Sequence, residues 1–206
     1  MQIEEIVDAA SVIPVLEVAE LENAAPLARA LAAGGLRVVE LTLRTDCALD
    51  ALKAMQDAAP DLIVGMGTVR TGDDIEQSLA AGAAFLVSPG AGLSFLKALA
   101  DSGAPSLPGV ATASEAMTAA ELGFKALKFF PAEPAGGIAY LKALAGPLPE
   151  IMFCPTGSIS AEKAPDYLAL SNVACVGGSW IATKQTIAKG DWTAIEANAR
   201  RAAQMA

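Results

Sequence analysis

Short apolar runs rich in Val, Ile and Phe alternate with Ala-rich segments of helical spacing along the whole chain. Runs of this length, bounded by Gly, Pro, Asn or Asp, predict strands at 11–16 (SVIPVL), 37–43 (RVVELTL), 62–67 (LIVGMG) and 84–88 (AFLVS). Four more follow at 105–110 (PSLPGV), 125–130 (KALKFF), 151–157 (IMFCPTG) and 173–178 (VACVGG). Helices are predicted at 23–33, 47–58, 73–81, 93–101, 114–122, 137–145, 160–169 and 191–204. Several close on glycine, as in LAAGG (31–35), LAAG (79–82) and AELG (120–123), the expected stop for a helix.

Strands and helices in strict alternation argue for an α/β fold, and eight of each for a (β/α)8 TIM barrel. An open doubly wound sheet needs the same alternation, but the count and the lack of an early G-x-G-x-x-G turn favour the barrel. At 206 residues it would be a compact one. No linker or shift in composition interrupts the chain, so 1–206 reads as one domain.

Composition narrows the chemistry. With 53% hydrophobic and only 5% aromatic residues, the core must be built mainly from Ala, Leu, Val and Ile. A net charge of −9 argues against nucleic acid, which needs a basic face, and means that any anionic ligand must be held by a local site. The chain has no histidine, which removes the commonest proton shuttle and excludes a His-ligated metal. Cys47, Cys154 and Cys175 cannot all pair within the chain and lack metal-ligand spacing, so core thiols in a reducing compartment are expected. The acidic start MQIEEIVDAA is unlike a signal peptide, and no stretch reads as a membrane span; a soluble, cytoplasmic protein is expected.

In a barrel, chemistry sits at the C-terminal ends of strands. In RVVELTLRT, period two puts Glu40, Thr42 and Arg44 on one face and Val39, Leu41 and Leu43 on the other. An inward Glu and Arg can hold a proton and an anion; a structural Glu–Arg pair explains the same residues equally well. GMGT (65–68) offers close backbone approach and, in Thr68, a donor for a carboxylate, or simply a tight turn with a helix cap. SPG (88–90) and PG (108–109) read mostly as turns. On ALKFF, Ala126, Lys128 and Phe130 share the face opposite Leu127 and Phe129. An amine among apolar walls loses solvation of its charged form, and a neutral amine attacks a carbonyl to form a Schiff base. The alternative is a lysine paired with a buried carboxylate, for which Glu40 would serve. PTGS (155–158) and GGSW (177–180) end the last two strands with small residues whose N–H groups suit phosphate; together they are a more specific signal than either alone.

GGLRVVELTLRT, GTV, SPG, LPGVAT, KFFPAE, FCPTGSIS and CVGGSW, taken in this order from about Val12 to Trp180, resemble the motifs of the 2-keto-3-deoxy-6-phosphogluconate (KDPG) aldolase family, which also covers 4-hydroxy-2-oxoglutarate (KHG) aldolase activity. The resemblance implies a class I aldolase on a (β/α)8 barrel, a homotrimer, with neither metal nor cofactor. By that resemblance Lys128 is the Schiff-base lysine and Glu40 the general acid/base, Arg44 and Thr68 bind the substrate carboxylate, and Pro89 and Phe130 wall the pocket. Gly157, Ser158, Gly178 and Ser179 fall at the phosphate contacts. Thr156 matches the gluconate type, where valine would point to the galactonate epimer. One departure is Gly157-Ser158, where the family commonly has Gly-Gly; serine resists positive φ, so phosphate affinity is the property most exposed to it. The implied reaction is reversible cleavage of KDPG to pyruvate and glyceraldehyde 3-phosphate, in the Entner–Doudoroff pathway. The rivals are the galactonate epimer or 4-hydroxy-2-oxoglutarate as substrate, a phosphosugar isomerase barrel that needs no imine, and a catalytically dead phosphosugar-binding module, against which Lys128, Glu40 and Arg44 argue.

Overall fold

A computed structural model of the chain describes residues 1–205; Ala206, the last residue of the expected domain, lies outside them. The strands are β1 (Val12–Leu16), β2 (Val38–Thr42), β3 (Ile63–Gly67), β4 (Leu86–Val87), β5 (Ser106–Leu107), β6 (Gly109–Val110), β7 (Ala126–Phe129), β8 (Met152–Pro155) and β9 (Val176–Gly178). The helices are α1 (Ile3–Asp8), α2 (Ala24–Ala33), α3 (Ala48–Ala58), α4 (Gly72–Ala80) and α5 (Leu93–Ser102), then α6 (Ala113–Glu121), α7 (Gly137–Ala145), α8 (Ala164–Leu168), α9 (Lys184–Ala188) and α10 (Trp192–Ala203). Helix α1 and the short α9 are additions to the elements expected. As expected, Gly35 and Gly123 stand just past helix ends with φ of +91°.

Every strand pairing is parallel. The strands form a curled six-stranded sheet in the order β5-β4-β3-β2-β1-β9 and a three-stranded sheet, β6-β7-β8. The expected fifth strand is divided at Pro108, which has no N–H to give to a ladder. Its first half pairs with β4 and its second with β7. The Pro108 carbonyl still accepts from the Lys128 amide at 3.0 Å. On the far side, a lone parallel bridge, Thr156 to Gly177, brings the end of β8 to β9.

Alternation along the strands sorts their side chains into two cores. The outer core lies between sheet and helices and includes Val39, Leu41, Leu127 and Phe129 with Leu27 and Leu31 of α2. There the Phe129 ring stacks on Tyr140 of α7, with centroids 5.7 Å apart. A smaller inner core joins Ile13, Val38, Phe85, Ala126, Cys154 and Cys175 to Ile6 and Val7 of α1. Ile13, Val38 and Ala126 stand near the starts of their strands, so α1 stoppers the N-terminal end of the curled sheet. That leaves the other end for chemistry. Among the described residues, no helix is long and apolar enough to cross a membrane.

Candidate active site

Lys128 and Glu40 belong to different sheets, 88 residues apart in sequence, yet their side chains meet inside. The ammonium nitrogen Nζ lies 3.0 Å from Oε1 and 3.3 Å from Oε2 of Glu40. Each residue is only 4% exposed. Burying two charges is costly and is offset only by close, well-partnered geometry, which this contact provides. Of the two readings of the lysine, the pairing with Glu40 is therefore present in the structure. It does not displace the other: a proton passed across 3.0 Å leaves a neutral amine beside a carboxylic acid. The Phe130 ring, 5.5 Å from Nζ at its centroid, supplies an aromatic face to the same nitrogen.

Glu40 fits because Gly67, its neighbour on β3, has no side chain. A Cβ there would stand 2.1 Å from Glu40 Oε1 and 2.6 Å from its Cγ. Gly67→Ala is accordingly expected to push the carboxylate off Lys128 and to lower unfolding free energy by about 1–3 kcal/mol. Unchanged thermal unfolding would show that the site has room to spare.

The other expected residues divide into those around a cavity of about 170 Å³ and those behind it. Arg44, Lys128, Phe130, Thr156, Gly157, Ser158 and Ser179 line the cavity. Thr68 does not, but its hydroxyl accepts from Arg44 Nε at 2.9 Å and so fixes the guanidinium. Thr68 itself has φ of +63°, a strained value for a β-branched residue of the kind that gathers at functional sites. Pro89 packs its backbone on β6: a Cβ on Gly109 would come within 2.4 Å of the Pro89 carbonyl oxygen. Gly178 stands under the Trp180 ring. Neither Pro89 nor Gly178 is among the cavity's lining residues. Gly177, unlike them, lines it and leaves room for Thr156, whose Oγ1 would be 2.2 Å from a Cβ there.

Ser158, the departure from Gly-Gly, adopts φ of +60°. The left-handed turn that glycine would make freely is made here at a cost of roughly 1–2 kcal/mol. The serine adds a hydroxyl to the cavity lining.

Two charged residues at the mouth escaped sequence reasoning. Glu17, just past β1, lies 3.9 Å from an Arg44 nitrogen and 2.6 Å from Lys184 Nζ. Period two from Ile13 through Val15 reaches Glu17, so the rule that found Glu40 would have found it too.

A buried amine and carboxylate in contact, opening on a cavity held by an arginine, suit capture of a ketone that carries an anionic group. The comparisons with known proteins agree with that chemistry. Residues 3–198 match the family described as KDPG and KHG aldolase. The 2-dehydro-3-deoxy-phosphogluconate aldolase of Dickeya dadantii is 47% identical over 199 residues, covering 97% of this chain and 93% of that protein. The KHG/KDPG aldolase of Escherichia coli is 45% identical over 201 residues, covering 98% and 94%. Among solved structures, the KDPG aldolase of Legionella pneumophila, with pyruvate captured as a covalent carbinolamine intermediate, superposes with a TM-score of 0.96 at 44% identity over 99% of each chain. A match this long at this identity leaves no part of the curled sheet unaccounted for, and the chain belongs to the KDPG and KHG aldolase family.

Proposed function

We propose that this chain is a class I aldolase that cleaves 2-keto-3-deoxy-6-phosphogluconate to pyruvate and glyceraldehyde 3-phosphate through an imine on Lys128. The observation that carries the reading is the buried Lys128–Glu40 contact at 3.0 Å. Glu40 takes the lysine's proton and frees its lone pair for attack on the C2 ketone. The carbinolamine loses its hydroxyl as water, taking up the proton that Glu40 holds, which gives an iminium and restores the Glu40 carboxylate. Glu40 then takes the C4 hydroxyl proton, the C3–C4 bond breaks, and its electrons pass into the iminium to give an enamine. The aldehyde leaves; C3 is protonated, and water hydrolyses the resulting imine to pyruvate and free lysine. The imine is itself the electron sink, so this route draws on no metal or cofactor.

Arg44, fixed by Thr68, is assigned to the substrate carboxylate, with a charge-assisted contact that aligns C2 for attack. Gly157, Ser158 and Ser179 are assigned to the phosphate, with Gly178 shaping the turn before Ser179. Phe130 and Pro89 are assigned to the pocket wall, Pro89 from the loop that packs on Gly109 of β6. Thr156 favours the gluconate substrate over the galactonate epimer; 4-hydroxy-2-oxoglutarate is the other alternative substrate.

The same proposal takes 1–206 as one domain and its sheets as a single closed (β/α)8 barrel. Support comes from the strand divided at Pro108, which continues one sheet into the other, and from the Thr156–Gly177 bridge at the opposite seam. It places the protein in the cytoplasm, in keeping with its three unpaired cysteines. A homotrimer is part of it as well: Leu93 and Met117 are both more than half exposed and offer apolar contact.

Borohydride reduction with pyruvate present, followed by peptide mass spectrometry, tests the reading directly. A reduced pyruvate adduct on Lys128 is expected. Its absence, with isomerisation of a phosphosugar instead, would select a barrel enzyme that needs no imine.

A further inference from the structure

A second cavity, of about 300 Å³, adjoins the one at Lys128 and shares Val15, Arg44 and Ser179 with it. Glu17 and Lys184 line its outer part. A carboxylate here is unexpected, because the neighbouring site must attract an anion to a chain of net charge −9. Its two nearest cations explain how it is tolerated. Glu17 Oε1 pairs with Lys184 Nζ at 2.6 Å, and Oε2 faces an Arg44 nitrogen at 3.9 Å. Arg44 is thus addressed from two sides, by Thr68 on Nε and by Glu17 on a terminal nitrogen. The Glu17 side chain is only 20% exposed, so its field on Arg44 is less screened than that of a surface charge.

We propose that Glu17 and Lys184 act as a coupled pair that sets the anion affinity of the site: Glu17 partly neutralises Arg44, and Lys184 cancels the charge of Glu17. This rests on the aldolase reading, in which Arg44 receives the substrate carboxylate. The charges make the inference quantitative in sign. Together Arg44, Glu17 and Lys184 carry one net positive charge. Losing Glu17 leaves two, losing Lys184 leaves none, and losing both restores one. Neither side chain is needed for the imine, so the effects fall on KM rather than on kcat.

The test is a double-mutant cycle of Glu17→Gln and Lys184→Met, read by equilibrium titration with 3-phosphoglycerate, which carries both a carboxylate and a phosphate, and by KM for KDPG. Relative to the parent, Lys184→Met should bind about three- to tenfold more weakly, and the loss should grow at low salt. Glu17→Gln should bind tighter by a similar factor. The double variant should return to within about threefold of the parent. If it stays as weak as Lys184→Met alone, the lysine meets the ligand itself, and the coupling is overturned. Equal affinity in all four proteins overturns it as well. Pyruvate trapping on the parent protein keeps the two readings apart: trapping without coupling removes this inference alone, and coupling without trapping removes the aldolase reading.

Discussion

Methionine in place of Lys128 should reduce cleavage of KDPG by about 10⁴-fold or more, to the level left by binding alone. Its side chain keeps much of the volume of the lysine stem but has no lone pair on nitrogen, so neither carbinolamine nor iminium can form, and C3–C4 cleavage loses its electron sink. Folding needs separate attention. Removing one member of a buried ion pair leaves the other uncompensated, at a typical cost of about 3–5 kcal/mol. Lys128→Met should therefore melt at a lower temperature, whereas Lys128→Met combined with Glu40→Gln, which leaves no buried charge, should recover much of that loss and remain inactive. Assaying both variants separates missing chemistry from missing fold. Turnover of either variant within tenfold of the parent would end the imine mechanism.

Glu40→Gln alone should divide the two halves of the reaction. Glutamine keeps the shape and can still accept a hydrogen bond from Lys128, but it cannot take the C4 hydroxyl proton. The expected result is a fall in kcat of about 10²–10⁴-fold, the usual range for a lost general base. Pyruvate should still be trapped on Lys128 by borohydride, more slowly, because the lysine remains and solvent can accept its proton. Unaltered kcat would remove Glu40 from the proton path. Complete loss of trapping would confine its role to activating the lysine.

Much of this site was legible because strands obey a period of two. That rule put Glu40 and Lys128 on inward faces and sent Leu127 and Phe129 outward, where Phe129 stacks on Tyr140. Periodicity fixes a direction, though, and never a partner. That the two side chains meet across the interior depends on the curl of the sheets and on the space left at Gly67, neither of which is a local property. Pro108 could have been read as a division, since a proline interrupts a ladder wherever it stands. Helix α1 was passed over because six residues hold too few turns for a helical period to show. At Ser158 the sequence shows the cost of a left-handed turn but not that the chain makes it, because the packed loop outweighs that small backbone energy.

Helix α1 also constrains traffic. With Ile6 and Val7 of that helix packed into the inner core, the approach to the amine lies at the C-terminal ends of the strands. In the proposed reaction the three-carbon aldehyde goes first, because the ketoacid stays bonded to the lysine until water hydrolyses the imine.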